Sequence, residues 1–547
     1  MIEGRFFAYM VLAFVLLLLY QAWQQDYGVP AASAPAQQHD FIDDVPIAGA
    51  DQPSAPSPAA AATRVIADQS AREDFITVVT DVMSLDIDLQ GGTISRMDLL
   101  NYPVDIDHPE QPVRLLSADP ERFYVAQSGL LAIVGQAPNH NARYSSSQRE
   151  YALTPGQKTL EVELSWNDGA GITVHKIFRF QASDYLIDIT HVVKNESAKP
   201  WRGHAYHQLQ RLNWEQPSHW GTYTYTGGVI YTPEDHYQKI DFEKMAKERL
   251  EREVVGGWVA MIQHYFLSAW ITDADSNNGF YSRAVEAPAG QRYILGFSSA
   301  VAEAAPATQV QFHNRLFVGP KIQERLETIA PGLELTVDYG FLTIIAKPLF
   351  YLLRFIHTWV GNWGWSIILV TLLIKLLFYK LTEMSYRSMA QMRKAQPKMQ
   401  ALMERYADDR QRRGQAMMEL YRKEKINPLG GCLPMLIQIP VFLALYWVLL
   451  ESVELRQAPF ILWIRDLSIK DPYFVLPPIY GITLYIQQKL NPAPLDPIQA
   501  RVFMALPFVF TVFFAFFPAG LVLYWIVNNV LTIAQQWVIT KHVLAEK

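Results

Sequence analysis

One cysteine, Cys432, stands in 547 residues, so no intramolecular disulfide can form. Any large domain outside the cytoplasm must then rely on its own apolar core. Cys432 lies far from the N-terminus, which leaves no lipoprotein anchor, and it reads as a small buried residue. The chain also lacks a P-loop, a His-Glu-x-x-His and a Gly-x-Ser-x-Gly, and a lone cysteine cannot build a Cys-x-x-Cys redox pair. Nucleotide-driven, zinc-peptidase, serine-hydrolase and dithiol chemistry therefore have no foothold, no cofactor is implied, and the chain reads as a non-enzyme. His204 and His207 occur as His-Ala-Tyr-His and read as ordinary strand residues rather than metal ligands. Gly91-Gly92 and Gly256-Gly257 are turn glycines with no phosphate-binding pattern around them.

What is present is strongly segregated. Residues 346–547 carry 22 Lys+Arg against 12 Asp+Glu, a balance of +10. The first 345 residues hold the remaining 25 against 41, a balance of −16, which together give the net −6. Half the residues are hydrophobic, yet mean hydropathy is only +0.03. An acidic water-soluble part joined to a basic, apolar membrane part explains both numbers.

The order along the chain follows from composition. Residues 1–24 contain an unbroken apolar run from Phe6 to Trp23 behind Arg5, read as an uncleaved signal anchor. Residues 25–64 are rich in Ala, Pro, Ser and Gln and form a disordered tether. Over 65–346 short alternating runs return. Leu160, Val162, Leu164 and Trp166 alternate with polar residues before Asn167-Asp168-Gly169, a hairpin signal. Many such runs predict a β-sandwich, interrupted by a helical insertion over Glu243–Glu253. Residues 347–361 predict an amphipathic helix lying in the interface, and Trp359, Trp363 and Trp365 mark a membrane boundary. Five apolar spans follow within 362–541: Trp363–Tyr379, Leu433–Leu450, Tyr473–Gln488, Val502–Phe517 and Leu521–Trp537. With the anchor there are six. A short tail, 542–547, ends the chain.

Orientation follows from charge. Between Lys380 and Lys425 lie 12 basic against 6 acidic residues, so this loop stays in the cytoplasm by the positive-inside rule. Parity places both termini there too, with the β-domain and the loop Glu451–Pro472 on the opposite side.

Inside the spans the informative residue is Lys375. It lies five residues deeper than Lys380, roughly 7.5 Å at helical rise, where a charge facing hydrocarbon costs about 2.5–3.5 kcal/mol or more. It should face water or the bundle interior, with Thr371 one turn away on the same face. Gln438, Thr483, Gln487 and Gln488 add polar groups on other spans, and Tyr524, Asn528 and Gln535 share a face of the last. Together they suit a hydrated groove. No Asp or Glu occurs in the five spans, which argues against a proton relay. The fourth and fifth spans, at about 16 residues, are short enough to favour a thinned bilayer. In the cytoplasmic segment 383–426, Met389, Met392, Met399, Met403 and Tyr406 fall at helical steps, Asp408 or Asp409 caps a second helix, and Met417 and Leu420 follow. This predicts a helical hairpin. Its methionines offer packing or an adaptable apolar surface, and Arg412, Arg413 and their neighbours suit lipid headgroups or ribosomal RNA.

Several longer stretches carry a family resemblance. Asn427-Pro428-Leu429-Gly430-Gly431-Cys432-Leu433-Pro434 with Gln438-Ile439-Pro440-Val441-Phe442, Val453-Glu454-Leu455-Arg456-Gln457-Ala458-Pro459-Phe460, Gly361-Asn362-Trp363-Gly364 and Phe517-Pro518-Ala519-Gly520-Leu521-Val522-Leu523-Tyr524 resemble the YidC-type membrane protein insertases (the YidC/Oxa/Alb family). Gly257-Trp258-Val259-Ala260-Met261 resembles the Gram-negative members with a large periplasmic domain. The resemblance implies a multi-domain protein of the inner membrane. It would have a five-helix insertase core, six transmembrane helices in all, and a periplasmic β-supersandwich.

It implies an insertase and chaperone for nascent integral membrane proteins, alone or beside the Sec translocon and its accessory subunits, with membrane lipids and the ribosome as further candidate partners and no DNA. It places Lys375 where relatives have a groove arginine, and Thr371, Ile439, Phe442, Phe513 and Trp525 at groove or substrate positions. Lysine keeps the charge without the bidentate fork. Lys380 stands where proline is common, and Trp525 where tyrosine is common. Two other classes compete. A secondary transporter predicts repeated broken helices, and no such repeat is seen. A membrane-tethered carbohydrate-active enzyme needs convergent carboxylates, which sequence cannot place.

Overall fold

The computed structural model describes residues 74–214, 224–407, 409–424, 433–490 and 497–545. The expected signal anchor, the tether, Asp408 and Cys432 lie outside the described residues.

From Phe75 to Pro320 the chain is almost entirely strands, arranged among the described residues as an 11-stranded and an 8-stranded sheet. The expected hairpin is present. Thr159–Asn167 pairs antiparallel with Ile172–Gln181, Gly169 and Gly171 take positive φ in the turn, and Leu160, Val162 and Leu164 are buried on alternate positions. One apolar cluster draws on both sheets, with Leu85 and Phe297 from the larger and Phe178 and Trp270 from the smaller. Such a two-layer core is what alternation on each sheet requires.

Lys176 staples the layers. Its Nζ donates to the carbonyl oxygens of Gly91, Gly92 and Ser128, each at 2.9 Å, and the side chain is fully buried. Burial pushes its pKa down to about 7, while three acceptors match the three N–H donors of the charged form. His207 is sealed in the strand Trp201–Leu212 between Trp270 and Phe297.

The helical insertion is shorter than expected. Helix α1 (Phe242–Lys247) is capped by Asp241, but Glu248 is already extended and Glu251–Val255 is a strand paired with Asn277–Tyr281. Its charge-rich sequence suits an edge strand as well as a helix, and pairing decides.

Nine further helices follow among the described residues: α2 (Gln323–Ile329), α3 (Thr343–Val360), α4 (Trp363–Leu377), α5 (Tyr379–Arg405), α6 (Arg410–Lys423), α7 (Leu433–Glu451), α8 (Leu476–Leu490), α9 (Pro497–Phe514) and α10 (Ala519–Ala545). The chain enters α3 earlier than the expected boundary at 347. It stays tied to α2 and the turn after it: Lys347 pairs with Glu327 at 2.7 Å and Glu334 at 3.3 Å, Tyr351 donates to Glu327 at 2.7 Å, and Arg354 pairs with Glu324. The last helix runs through the expected break at 541 to Ala545.

By length and composition, among the described residues Gly340–Val360 and Ala519–Lys541 can each cross a bilayer, and α4 with α5, bent by 68° between them, adds a third only if the pair is counted as one span. The five C-terminal spans expected from hydropathy correspond in order to α4, α7, α8, α9 and α10, but several are short. At 15 residues, α8 reaches about 22 Å against ~30 Å of hydrocarbon.

The β-domain and the core touch through polar groups. Gln457 Nε2 donates to the Pro103 carbonyl at 2.9 Å, Arg465 pairs with Asp107 at 2.6 Å, and His264 Nε2 lies 2.9 Å from the Leu450 carbonyl.

Candidate functional site

Helix α4 is apolar on nearly every face, and Asn362 caps it by accepting from the Trp365 N–H. Within it Thr371 and Lys375, one turn apart, both turn inward. Thr371 spends its hydroxyl proton on the Ile367 carbonyl at 2.7 Å, so its oxygen is left as an acceptor. Lys375 is only 6% exposed, and its Nζ donates to Thr532 Oγ1 on α10 at 2.8 Å. Among the described residues it makes no ion pair. The cation thus faces the bundle interior.

From Lys375 the polar contacts continue. Thr532 Oγ1 donates to the Asn528 carbonyl at 2.6 Å, and Gln438 Nε2 on α7 donates to Asn528 Oδ1 at 2.9 Å. Three helices are thereby joined by one chain of hydrogen bonds. One turn further along both α7 and α10 the contacts become aromatic. Phe442 stacks on Tyr524 at 5.9 Å and on Trp525 at 5.5 Å, and Trp525 meets Phe514, whose ring is 5.2 Å from that of Phe513. Phe513 itself is 39% exposed. Ile439 is half-buried beside Gln438. The result is a ladder, polar at one end and aromatic at the other, because Gln438 and Phe442 on α7 share a four-residue step with Asn528 and Tyr524 on α10.

Two family descriptions match the chain, the YidC periplasmic domain over residues 75–352 and the 60Kd inner membrane protein over 355–546. A membrane protein insertase YidC of Thioalkalivibrio sulfidiphilus is 52% identical, the match covering 98% of this chain and 97% of the relative. One from Methylococcus capsulatus is 51% identical over 96% and 95%. The chain belongs to the YidC family of membrane protein insertases. A solved active YidC insertase with its first transmembrane domain resolved aligns over 86% of this chain and 98% of its own, at 18% identity and a TM-score of 0.37.

This YidC-family protein is therefore a membrane protein insertase of the inner membrane with a periplasmic β-domain. The family boundary near residue 353 falls inside α3, the helix that the ion pairs bind to the β-domain.

Reading the insertase from sequence missed three buried polar residues of α10. Asn529 donates to Thr483 Oγ1 at 3.2 Å, Gln536 to the Leu490 carbonyl at 3.1 Å, and Thr532 holds Lys375. The signal was present, since 528, 529, 532, 535 and 536 recur at helical spacing. A threonine inside an apolar run is too ordinary to stand out.

The hairpin forms as expected. Tyr406 ends α5, and Asp409 caps α6 by accepting from the Gln411 and Arg412 N–H groups at 3.1 and 3.0 Å. Met399 is 3% exposed, packed with Ala395 and Tyr421 against Met392, Met417 and Leu420. It is a seam residue and offers no free surface, because the two helices close on it. Met389 and Met403 are half-buried, Arg412 is exposed and Arg413 half-buried. Exposed methionine occurs instead at Met384, 62%, and Met418, 63%.

Proposed function

We propose that this insertase receives the hydrophilic flank of a client in a groove between α4, α7 and α10, attracted by Lys375 when that flank is acidic. The client's apolar segment then slides past α4 and α10 into lipid. The observation that carries this reading is the hydrogen-bonded chain Lys375–Thr532–Asn528–Gln438, which joins three helices around a buried cation. Polar groups are expensive in a membrane interior and mark pathways. Gln487 and Gln535 each present a buried side-chain oxygen with no hydrogen-bond partner among the described residues, acceptors that an entering chain or water can use. Roughly 20 apolar residues at a few tenths of a kcal/mol each make release into lipid downhill, so no nucleotide hydrolysis is needed. The aromatic end, with Phe442, Phe513, Tyr524 and Trp525, offers an apolar surface to the segment in transit.

On this reading the hairpin and both termini are cytoplasmic, the hairpin receives nascent chains or the ribosome through exposed basic residues and methionines, and α3 lies along the membrane surface. Clients are nascent integral membrane proteins, taken up alone or beside the Sec translocon. Lys347 and Arg354, seven residues apart, both pair with the β-domain side, and a helix held along its length to a water-soluble domain suits the interface better than a crossing.

The test is insertion of a small single-span client with an acidic flank into vesicles bearing Lys375→Glu. Strongly reduced insertion is expected. Unchanged insertion removes the groove charge from the mechanism. Removing 68–323 in parallel should leave insertion intact, whereas a periplasmic enzyme would lose everything.

A further inference from the structure

The bond between Lys375 and Thr532 has a fixed direction. A threonine hydroxyl has one proton, and Thr532 gives it to the Asn528 carbonyl at 2.6 Å. Toward Lys375 its oxygen can only accept, which it does at 2.8 Å. Both side chains are buried, Thr532 at 5% exposure. The ammonium has three donors, and among the described residues this neutral hydroxyl is the one side chain hydrogen-bonded to it. A carboxylate is a stronger acceptor for an ammonium than a hydroxyl is, since its full negative charge adds a Coulomb attraction that a neutral oxygen lacks.

Thr532 also meets the Tyr386 hydroxyl of α5, and the links of α10 to α7 and α8 use different residues. Asn528 binds α7 through Gln438, while Asn529 binds α8 through Thr483 and Gln536 binds the Leu490 carbonyl at the end of α8. Toward α4 the remaining polar contact among the described residues is Gln535 Nε2 to the Lys375 carbonyl, long at 3.4 Å. Loss of the ammonium bond would weaken the α4–α10 seam and leave α10 tied to α7 and α8.

We propose that Thr532 is the positioning residue for Lys375 and that their bond is a latch across the α4–α10 seam, released when a client carboxylate takes the ammonium. Recognition of an acidic flank and opening of the exit seam are then one event. The inference rests on the groove reading above and adds to it the residue that couples charge to opening.

The experiment uses the full-length protein in vesicles and two single-span clients that differ only in an acidic or a neutral flank. Wild type inserts the acidic client faster. In Thr532→Val the seam is already open, and the ratio of acidic to neutral rates should fall by about fivefold, as loss of one net hydrogen bond predicts. Thr532→Ser, which keeps the hydroxyl, should restore the ratio. Spin labels on α4 and α10, at Leu376 and Val538, should report a wider distance distribution in Thr532→Val and in wild type with the acidic client. Labels at Ile486 on α8 and Val538 should not change. An unaltered ratio and unaltered α4–α10 distances in Thr532→Val overturn the latch. Lys375→Gln separates the two ideas. If it leaves acidic-client insertion untouched, the groove reading fails and the latch with it. If it lowers that insertion while Thr532→Val changes nothing, only the latch fails.

Discussion

Arg456, on the loop that follows α7, donates from Nη2 to the Pro103 carbonyl oxygen at 2.6 Å, joining the membrane core to a long strand of the β-domain. A second, longer contact from the same nitrogen reaches the Val104 carbonyl at 3.3 Å, and Gln457 Nε2 shares the Pro103 acceptor. Three bonds on two adjacent carbonyls make this a specific docking point rather than a loose tether.

Replacing Arg456 and Gln457 together by alanine should therefore loosen the docking without unfolding either part. A hydrogen bond from a charged donor contributes about 1.5–3 kcal/mol, so hydrogen exchange at 103–107 should accelerate by tenfold or more. Unchanged exchange there would show that the contact does not hold the domain.

Glu454 lies close to the same junction. The residue is half-buried, but its Oε2 is sealed from solvent and has no hydrogen-bond partner among the described residues. Burial pushes its carboxyl up to about 7, opposed by the backbone N–H of its own residue and by the Arg354 charge. The folded state then holds a proton that the unfolded state releases from pH 4.5 upward. Stability should fall as pH rises from about 4.5 to about 7 and level off above, by at most about 3 kcal/mol for this group. Glu454→Gln should flatten that stretch of the profile and raise the melting temperature at pH 8. Melting curves of the two proteins across pH 4.5–8 decide it.

Trp525 is the hub of the aromatic end, with ring contacts to Phe442, Phe514, Phe517 and Tyr480. Trp525→Ala should cost about 3–5 kcal/mol by opening a cavity. Trp525→Tyr, which keeps a ring on Phe442, should cost much less. Thermal unfolding in detergent measures both, and equal losses would mean that ring stacking there is not structural.

In the hairpin, Met399→Lys buries a charge in the α5–α6 seam and should abolish protection of α6 in hydrogen exchange. Met418→Lys, on an exposed face, should leave exchange unchanged and weaken crosslinking of nascent chains. Asp409→Ala removes the cap and should cost about 1 kcal/mol of local stability. If Met418→Lys leaves client crosslinking as it was, the exposed methionine has no part in recruitment.

Much of this was legible residue by residue. The alternation at Leu160, Val162 and Leu164 specified a strand because a period of two has only one buried solution. A cap at Asp408 or Asp409 was visible because an aspartate before a helix can accept from its first free N–H groups, and Asp409 fills that place. Where two local solutions had similar cost the reading failed. Glu248–Glu253 is as acceptable in an edge strand as in a helix, and pairing with Asn277–Tyr281 chose the strand. Met399 fitted a surface or a seam equally well until α6 covered it.

The sequence by itself determined the two-part division, the basic character of the Lys380–Lys425 loop, the family and the place of Lys375 five residues before Lys380 in an apolar run, since each depends on composition or on position along one helix. Only the tertiary structure decided that the lysine is held by Thr532, that Gln438 meets Asn528 and that Phe442 stacks on Trp525. Those pairings join residues 83 to 157 positions apart in the chain. Hydropathy describes how each helix relates to its surroundings, and it says nothing about how far one helix is rotated against the next.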